Sequence, residues 1–175
     1  MQVAIGKDAE KGYRLYAEMF VKLPIETVFD LFADAFQLEQ ITPPLLQFSV
    51  LTPRPIAMRP GLLIDYKLKL HGIPIRWQSE IPIWEPPHRF VDQQVRGPYK
   101  RWYHEHLFEE IDGGTLVKDQ VHYIPRGGRL LHHLMVRPDL MKIFQYRQAA
   151  LKNIFDEMIE KQAQSAIKSR DISTV

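Results

Sequence analysis

Cysteine is absent from the 175 residues, which excludes a disulfide framework, a thiol nucleophile and a thiolate metal centre. An excess of charge of either sign is also missing. Lys plus Arg number 23 against 21 Asp plus Glu, a formal net charge of +2. The basic residues are interspersed, and the runs Pro-Arg-Gly-Gly-Arg and Lys-Ser-Arg are too short to act as tails, so no nucleic-acid partner is expected. No stretch approaches the ~18 uninterrupted apolar residues of a membrane helix. The opening MQVAIGKDAEKG has no apolar signal region. No membrane span and a cytoplasmic location are therefore the expectations. Serine is scarce and none sits in a nucleophile elbow; GxGxxG, GxxxxGK[ST], GxSxG and HExxH motifs are all missing.

What is present is a chain with 45% apolar and 25% charged residues, ordinary for a globular protein. Neither an internal repeat nor a low-complexity linker interrupts it. One domain is expected over 1–175, with a core of about 13–166 and loose segments at 1–12 and 167–175.

Two periodicities divide the chain. Leu15, Ala17, Met19 and Val21 alternate with polar and aromatic neighbours, which predicts a strand over Tyr13–Lys22. Pro24 then suits the start of a helix whose face is Ile25, Val28, Phe29 and Phe32, and a second short helix is expected at Ala35–Gln40, ahead of Pro43-Pro44. Strand alternation returns at 47–51, 62–71, 73–83, 89–96, 100–110 and 115–124, punctuated by His71-Gly72, Glu85-Pro86-Pro87-His88, Gly97-Pro98 and Asp112-Gly113-Gly114. The last third has helical spacing. Leu140, Ile143, Phe144, Leu151, Ile154, Phe155 and Met158 form one stripe, predicting a helix from about Asp139 to Ala166. A shorter helical piece is expected at His132–Met135, kinked or broken at Pro138, with His132 and His133 read as surface residues. The fold class is thus α+β. A curved antiparallel sheet of six to seven strands wraps around the C-terminal helix, and the two short helices follow the first strand. Such a sheet closed by one helix leaves an interior space suited to a small molecule.

Particular segments resemble a known superfamily. They are Leu-Thr-Pro and Met-Arg-Pro-Gly-Leu-Leu-Ile-Asp-Tyr in 51–66, His-Gly-Ile-Pro-Ile-Arg-Trp in 71–77, and Trp-Glu-Pro-Pro-His-Arg-Phe-Val-Asp in 84–92. Further along come Gly-Pro-Tyr in 97–99, then Trp102, His104 and Phe108, Gly-Gly-Thr in 113–115 with Asp119 and Tyr123, and Phe144-x-Tyr146-Arg147. Over about residues 13–156 the chain resembles the START-like, helix-grip superfamily (SRPBCC), which includes polyketide cyclases and dehydrases, birch-pollen-allergen proteins and lipid-transfer domains. Within it, the likeness is to a bacterial ligand-binding branch without an assigned substrate. The resemblance implies a helix-grip fold and a hydrophobic cavity.

His104 and His106 share one strand face, together with Trp102 and Phe108. If Phe108 is core, both imidazoles look into the interior, and Asp119 on the next strand is their natural partner. Three readings of this cluster stand side by side: structural pairing with Asp119 or a carbonyl, proton transfer by His104 or Asp119, and a metal site of His104, His106 and Asp119. His104-x-His106 followed by Glu110 imitates part of a cupin motif, but no second-motif histidine follows it. Arg147 falls within the apolar stripe of the C-terminal helix, where it either pairs with Asp119 or Asp92, reaches the cavity mouth, or binds an acidic group of a ligand. Tyr66, Trp77, Trp102 and Tyr123 are aromatic candidates for the cavity wall or the core. Gln94 belongs to strand 89–96, whose inward face the pattern leaves ambiguous.

The expected function is binding of a small, largely apolar molecule, aromatic, polyketide-like or lipid-like, in the cavity. The candidate ligand residues are Tyr66, Trp77, Gln94, Trp102, His104, His106, Asp119, Tyr123 and Arg147. The alternatives are a cyclase or dehydratase on the same scaffold, with His104 or Asp119 as acid/base, and a protein-interaction module. No cofactor is expected.

Overall fold

The computed structural model describes residues 2–8 and 11–172, with side chains through residue 165. Eight strands form one antiparallel sheet: β1 (Gln2–Lys7), β2 (Tyr13–Val21), β3 (Ser49–Val50), β4 (Leu62–Leu70), β5 (Ile73–Glu85), β6 (Arg89–Arg96), β7 (Tyr99–Ile111) and β8 (Gly114–Pro125). Their spatial order is β1-β2-β8-β7-β6-β5-β4-β3. Strands β3 to β8 therefore run as a meander, and β2 closes on β8. Between β2 and β3 lie helices α1 (Ile25–Ala33) and α2 (Gln37–Gln40) and a 3-10 turn at Pro44–Leu46. After β8 come α3 (Gly128–Leu131), a π-helical turn at His132–Val136, and α4 (Arg137–Ile172).

The pleat decides what faces inward. Along β8 the buried positions are Thr115, Val117, Asp119, Val121, Tyr123 and Pro125, in strict alternation, and along β7 they are Trp102, His104, His106 and Phe108. Helix α4 covers this concave face with Leu140, Phe144, Leu151 and Phe155. Phe29 and Val28 of α1 plug one end against Phe90 and Phe108. Two register shifts in the β5–β6 pairing, at Gln78/Ser79 and between Glu80 and Ile83, bend the sheet toward the helix.

The fold class is the expected α+β helix-grip arrangement. Three local expectations are corrected. First, residues 2–7, expected to be loose, form β1, with Val3 opposite Ala17 and Ile5 opposite Leu15. An edge strand needs hydrogen bonds from one neighbour only, and two half-buried apolar residues leave little periodicity to read. Second, where a kink or break was expected at Pro138, a π turn stands just before it. Pro138 has no N–H to donate one turn back, and the wider turn absorbs that loss while the helix continues. Third, α4 runs past Ala166 to Ile172, because Lys, Gln and Ala sustain a helix after the apolar stripe ends.

Gly114 opens β8 against the end of β2. A Cβ there would meet the Val21 carbonyl oxygen at 2.1 Å. Gly114→Ala is expected to destabilise the fold by roughly 1–3 kcal/mol, the scale of an overpacked contact. Thermal melting checks this, and an unchanged midpoint would show that the strand ends can separate freely.

Candidate functional site

The two histidines of β7 are placed by hairpin arithmetic. Asp119 and His106 stand at equal counts either side of the Asp112-Gly113 turn and are cross-strand partners. Asp92 and His104 stand six residues either side of Pro98 and are likewise cross-strand partners. All four side chains meet on the inner face, since directly opposed residues in an antiparallel pair project to the same side.

The result is a ring in which each imidazole touches both carboxylates. His104 Nε2 lies 3.3 Å from Asp119 Oδ1, and His104 Nδ1 lies 3.2 Å from Asp92 Oδ2. His106 Nε2 lies 3.3 Å from Asp92 Oδ2. His106 Nδ1 approaches Asp119 Oδ1 at 2.7 Å but without the alignment of a hydrogen bond. The imidazole centroids are 3.9 Å apart, and His106 stacks on Phe90 at 4.1 Å.

Burial and charge oppose each other here. Burial pushes the His104 imidazole down; the Asp92 charge and the hydrogen bonds the ring donates to Asp119 and Asp92 outweigh it, and the pKa rises to about 9. Burial likewise pushes both carboxyls up, but the His104 charge at Asp92 and the His106 charge at Asp119, with hydrogen bonds from both rings, hold them well below the usual range. At neutral pH the ring therefore contains two carboxylates and a protonated His104.

An internal cavity of ≈ 170 Å³ lies between this ring and α4. His104, His106 and Asp92 form its polar floor, Tyr66, Trp77 and Trp102 stand along one wall, and Phe144 and Arg147 of α4 face them. The rest of the lining is mainly aliphatic. Trp77 and Trp102 meet edge to face with centroids 5.4 Å apart, and the Trp77 indole N–H donates to Ser79 Oγ at 3.0 Å.

Arg147 is a cavity residue outside the ring whose hydrogen-bonding capacity is not met. Its guanidinium carbon sits 4.9 Å from the centroid of the Phe144 ring one turn back, and its Nε is buried with no hydrogen-bond partner. Of the alternatives for Arg147, the ion pair to Asp119 or Asp92 is not formed, because both carboxylates already serve the histidines. Burial lowers its pKa from the ordinary value, with the Asp119 and Asp92 charges opposing in part.

Not every candidate reaches the cavity. Gln94 holds the β6–β7 turn, accepting from the Tyr99 N–H at 3.2 Å and donating to the Tyr99 carbonyl at 2.9 Å. Tyr123 packs in the core and shares a 2.9 Å hydrogen bond with His132 Nε2. Asp119 lies behind the imidazoles rather than on the cavity wall. His132, read from sequence as a surface residue, is 1% exposed and stacks on Tyr13 with ring centroids 3.4 Å apart. Asp92 is the site residue that sequence reasoning left out of the candidate set. Its signal was Phe90, two residues earlier on the same face, together with the count back from Gly97-Pro98.

The chemistry of the ring also bears on metals. Ligand atoms of Asp92, His104 and His106 lie within 4.8 Å of one another, so the compact trio includes Asp92 where Asp119 was expected. The same nitrogens are already committed to the carboxylates, so a cation would have to displace an intact ion-pair network.

The pH dependence of stability follows from the ring. His104 is raised from 6.5 to about 9, so its contribution is fully present below pH 6.5 and is lost as pH rises through about 9. The carboxyls are lowered from 3.8, so theirs is present above that pH and is lost on acidification below it. Melting temperatures are expected to fall between pH 6.5 and 9, and His104→Gln is expected to remove that alkaline slope. A flat profile in the parent protein would place the proton elsewhere.

Among curated proteins, none matches this sequence. The fold has many solved counterparts at low identity. Protein Ms6760 from Mycobacterium smegmatis superposes with a TM-score of 0.66 at 18% identity, over 90% of this chain and 99% of that one. Protein CV1439 from Chromobacterium violaceum gives 0.65 at 13% identity, over 81% and 96%. Major latex-like protein 151 from Panax ginseng gives 0.60 at 13% identity, over 86% and 97%. Residues 21–152 match the family model described as polyketide cyclase / dehydrase and lipid transport. With most of its length inside that match, and the helix-grip architecture around it, the chain belongs to the polyketide cyclase/dehydrase and lipid transport family.

Proposed function

We propose that this protein binds a small, largely apolar molecule with one acidic end in the cavity between sheet and α4. The single observation that carries this is Arg147, a half-buried cation whose buried Nε has no partner among the described residues, on the wall of a mainly aliphatic and aromatic space above the polar floor of His104, His106 and Asp92. A buried unsatisfied donor costs stability, and a carboxylate on a ligand satisfies it with a charge-assisted hydrogen bond. The volume supports a ligand of modest size, since an apolar cavity of about 150 Å³ already takes up benzene. Apolar burial supplies affinity, and Arg147 with the protonated His104 sets orientation. Aromatic, polyketide-like and lipid-like acids all fit that description.

Binding is favoured over catalysis by the state of His104. A general base must accept a proton near the working pH, whereas His104 is held protonated by Asp92 and Asp119. On the same scaffold it serves as a hydrogen-bond donor. The open cavity likewise argues against a protein-interaction module with a collapsed interior.

The test compares a probe carrying an anion with a neutral one of the same shape. Anilinonaphthalene sulfonate is titrated by fluorescence and displaced with naphthoic acid or with naphthalenemethanol. Arg147→Gln is expected to weaken naphthoic acid by on the order of tenfold or more and to leave the alcohol unchanged. The same substitution should raise the melting temperature of the unliganded protein, because it removes a charged group whose Nε is buried without a partner. Equal affinity for naphthoic acid in both proteins would sink the proposal.

A further inference from the structure

The segment after β8 exposes more apolar surface than its position requires. Leu130 is 74% exposed and Leu134 68%, and Leu131 and Met135 beside them are also exposed. They form two adjacent i, i+4 pairs on α3 and the π turn, a contiguous apolar face. Gly127 and Gly128, with φ of 86° and 75°, turn the chain out of β8 into this segment. Its rotation is then pinned from within. His132 is buried against Tyr13 and bonded to Tyr123, so the residues on the far side of the turn must face outward. Their exposure is imposed by an anchor and does not arise from a frayed end.

The charge around this face has one sign. Arg126, Arg129 and Arg137 flank the leucines, and 126–138 contains no Asp or Glu. The β4–β5 hairpin lies alongside, because His71 Nε2 meets Asp139 Oδ2 at 2.7 Å. That hairpin adds exposed Ile73. Asp139, the acidic residue nearest the patch in sequence, is taken up by His71. The cavity lining reaches the same end of the molecule through Leu70, Ile75, Tyr99 and Leu140.

We propose that this end of the protein docks on an anionic lipid surface, inserting Leu130, Leu131, Leu134 and Met135 while Arg126, Arg129 and Arg137 meet the headgroups. An apolar face rimmed by arginine is the combination that an interfacial helix uses, since neither signal alone holds a protein to a bilayer. A second copy of this chain fits less well. Symmetric pairing would set the three arginines of one protomer against those of the other, with no acidic residue on the face to relieve them. Nucleic acid has no use for the leucines. None of the described helices is long and apolar enough to cross a membrane, so the contact is peripheral.

Vesicle flotation of the full chain tests this. The probes are vesicles of phosphatidylglycerol and phosphatidylcholine in equal amounts, and vesicles of phosphatidylcholine alone. Binding is expected to the first and not to the second, and to weaken with added salt. The double variant Leu130→Asp with Leu134→Asp is expected to lower binding by at least about tenfold, with an unchanged melting temperature because both side chains are exposed. Arg126→Gln with Arg129→Gln should weaken binding while removing the salt dependence in part. The proposal fails if the charged vesicles are not bound, or if binding survives the leucine variant. It also fails if light scattering finds a dimer that this variant dissolves while no vesicle is bound, which would assign the face to a second copy.

Discussion

Asp92, His104, His106 and Asp119 place two carboxylates and two imidazoles against one another on the concave face of the sheet. Charges taken out of water are tolerated only when each has a partner of opposite sign in reach. The ring meets that condition by geometry. Two residues on β7 share a face, and each has a carboxylate directly across from it, one on either neighbouring strand. The register of three strands is thereby tied to the protonation of one cluster. A slip of a single residue would turn the whole set to the outer face and leave nothing to balance it.

The rest of the interior is organised around that closed set. Because the carboxylates are used up by the histidines, Arg147 Nε has no hydrogen-bond partner among the described residues, although both acids lie close enough to stabilise its charge. A donor is thus left on the wall of a mainly apolar space. A cavity bounded by such groups is less stable empty than filled, and protein sites commonly trade stability for binding in this way. Wall residues such as Trp77 and Trp102 add broad apolar area with fixed orientation.

Much of the fold is legible along the chain. The alternation in 62–70, 99–111 and 114–125 and the stripe from Leu140 to Phe155 are local consequences of strand and helix geometry, and they mark the residues that face inward. The prolines and glycines mark where elements stop. The two interior histidines and the shared face of Asp119 follow from the same counting. Asp92 was within reach of that counting, but Val91 beside it is apolar and fully buried while Asp92 is only partly so, and the alternation of β6 pointed both ways. Gln94 shares Asp92's parity yet bends away to hold the turn, and Tyr123 is drawn toward His132. Parity assigns a face, and position along the strand decides whether that face meets cavity or core.

By itself, then, the amino-acid sequence determined most element types, the turns, the face that His104 and His106 share with Phe108 and the place of Arg147 in the apolar stripe of the last helix. These depend on backbone periods that repeat within a few residues. The tertiary structure alone decided that β1 closes the sheet edge, that Arg147 is left without an ion pair, and that His132 is buried while Leu130 and Leu134 are exposed. Each depends on which distant segment arrives next to it: β2 beside β1, two histidines beside the acids, Tyr13 beside the π turn. No period in the local chain carries that information.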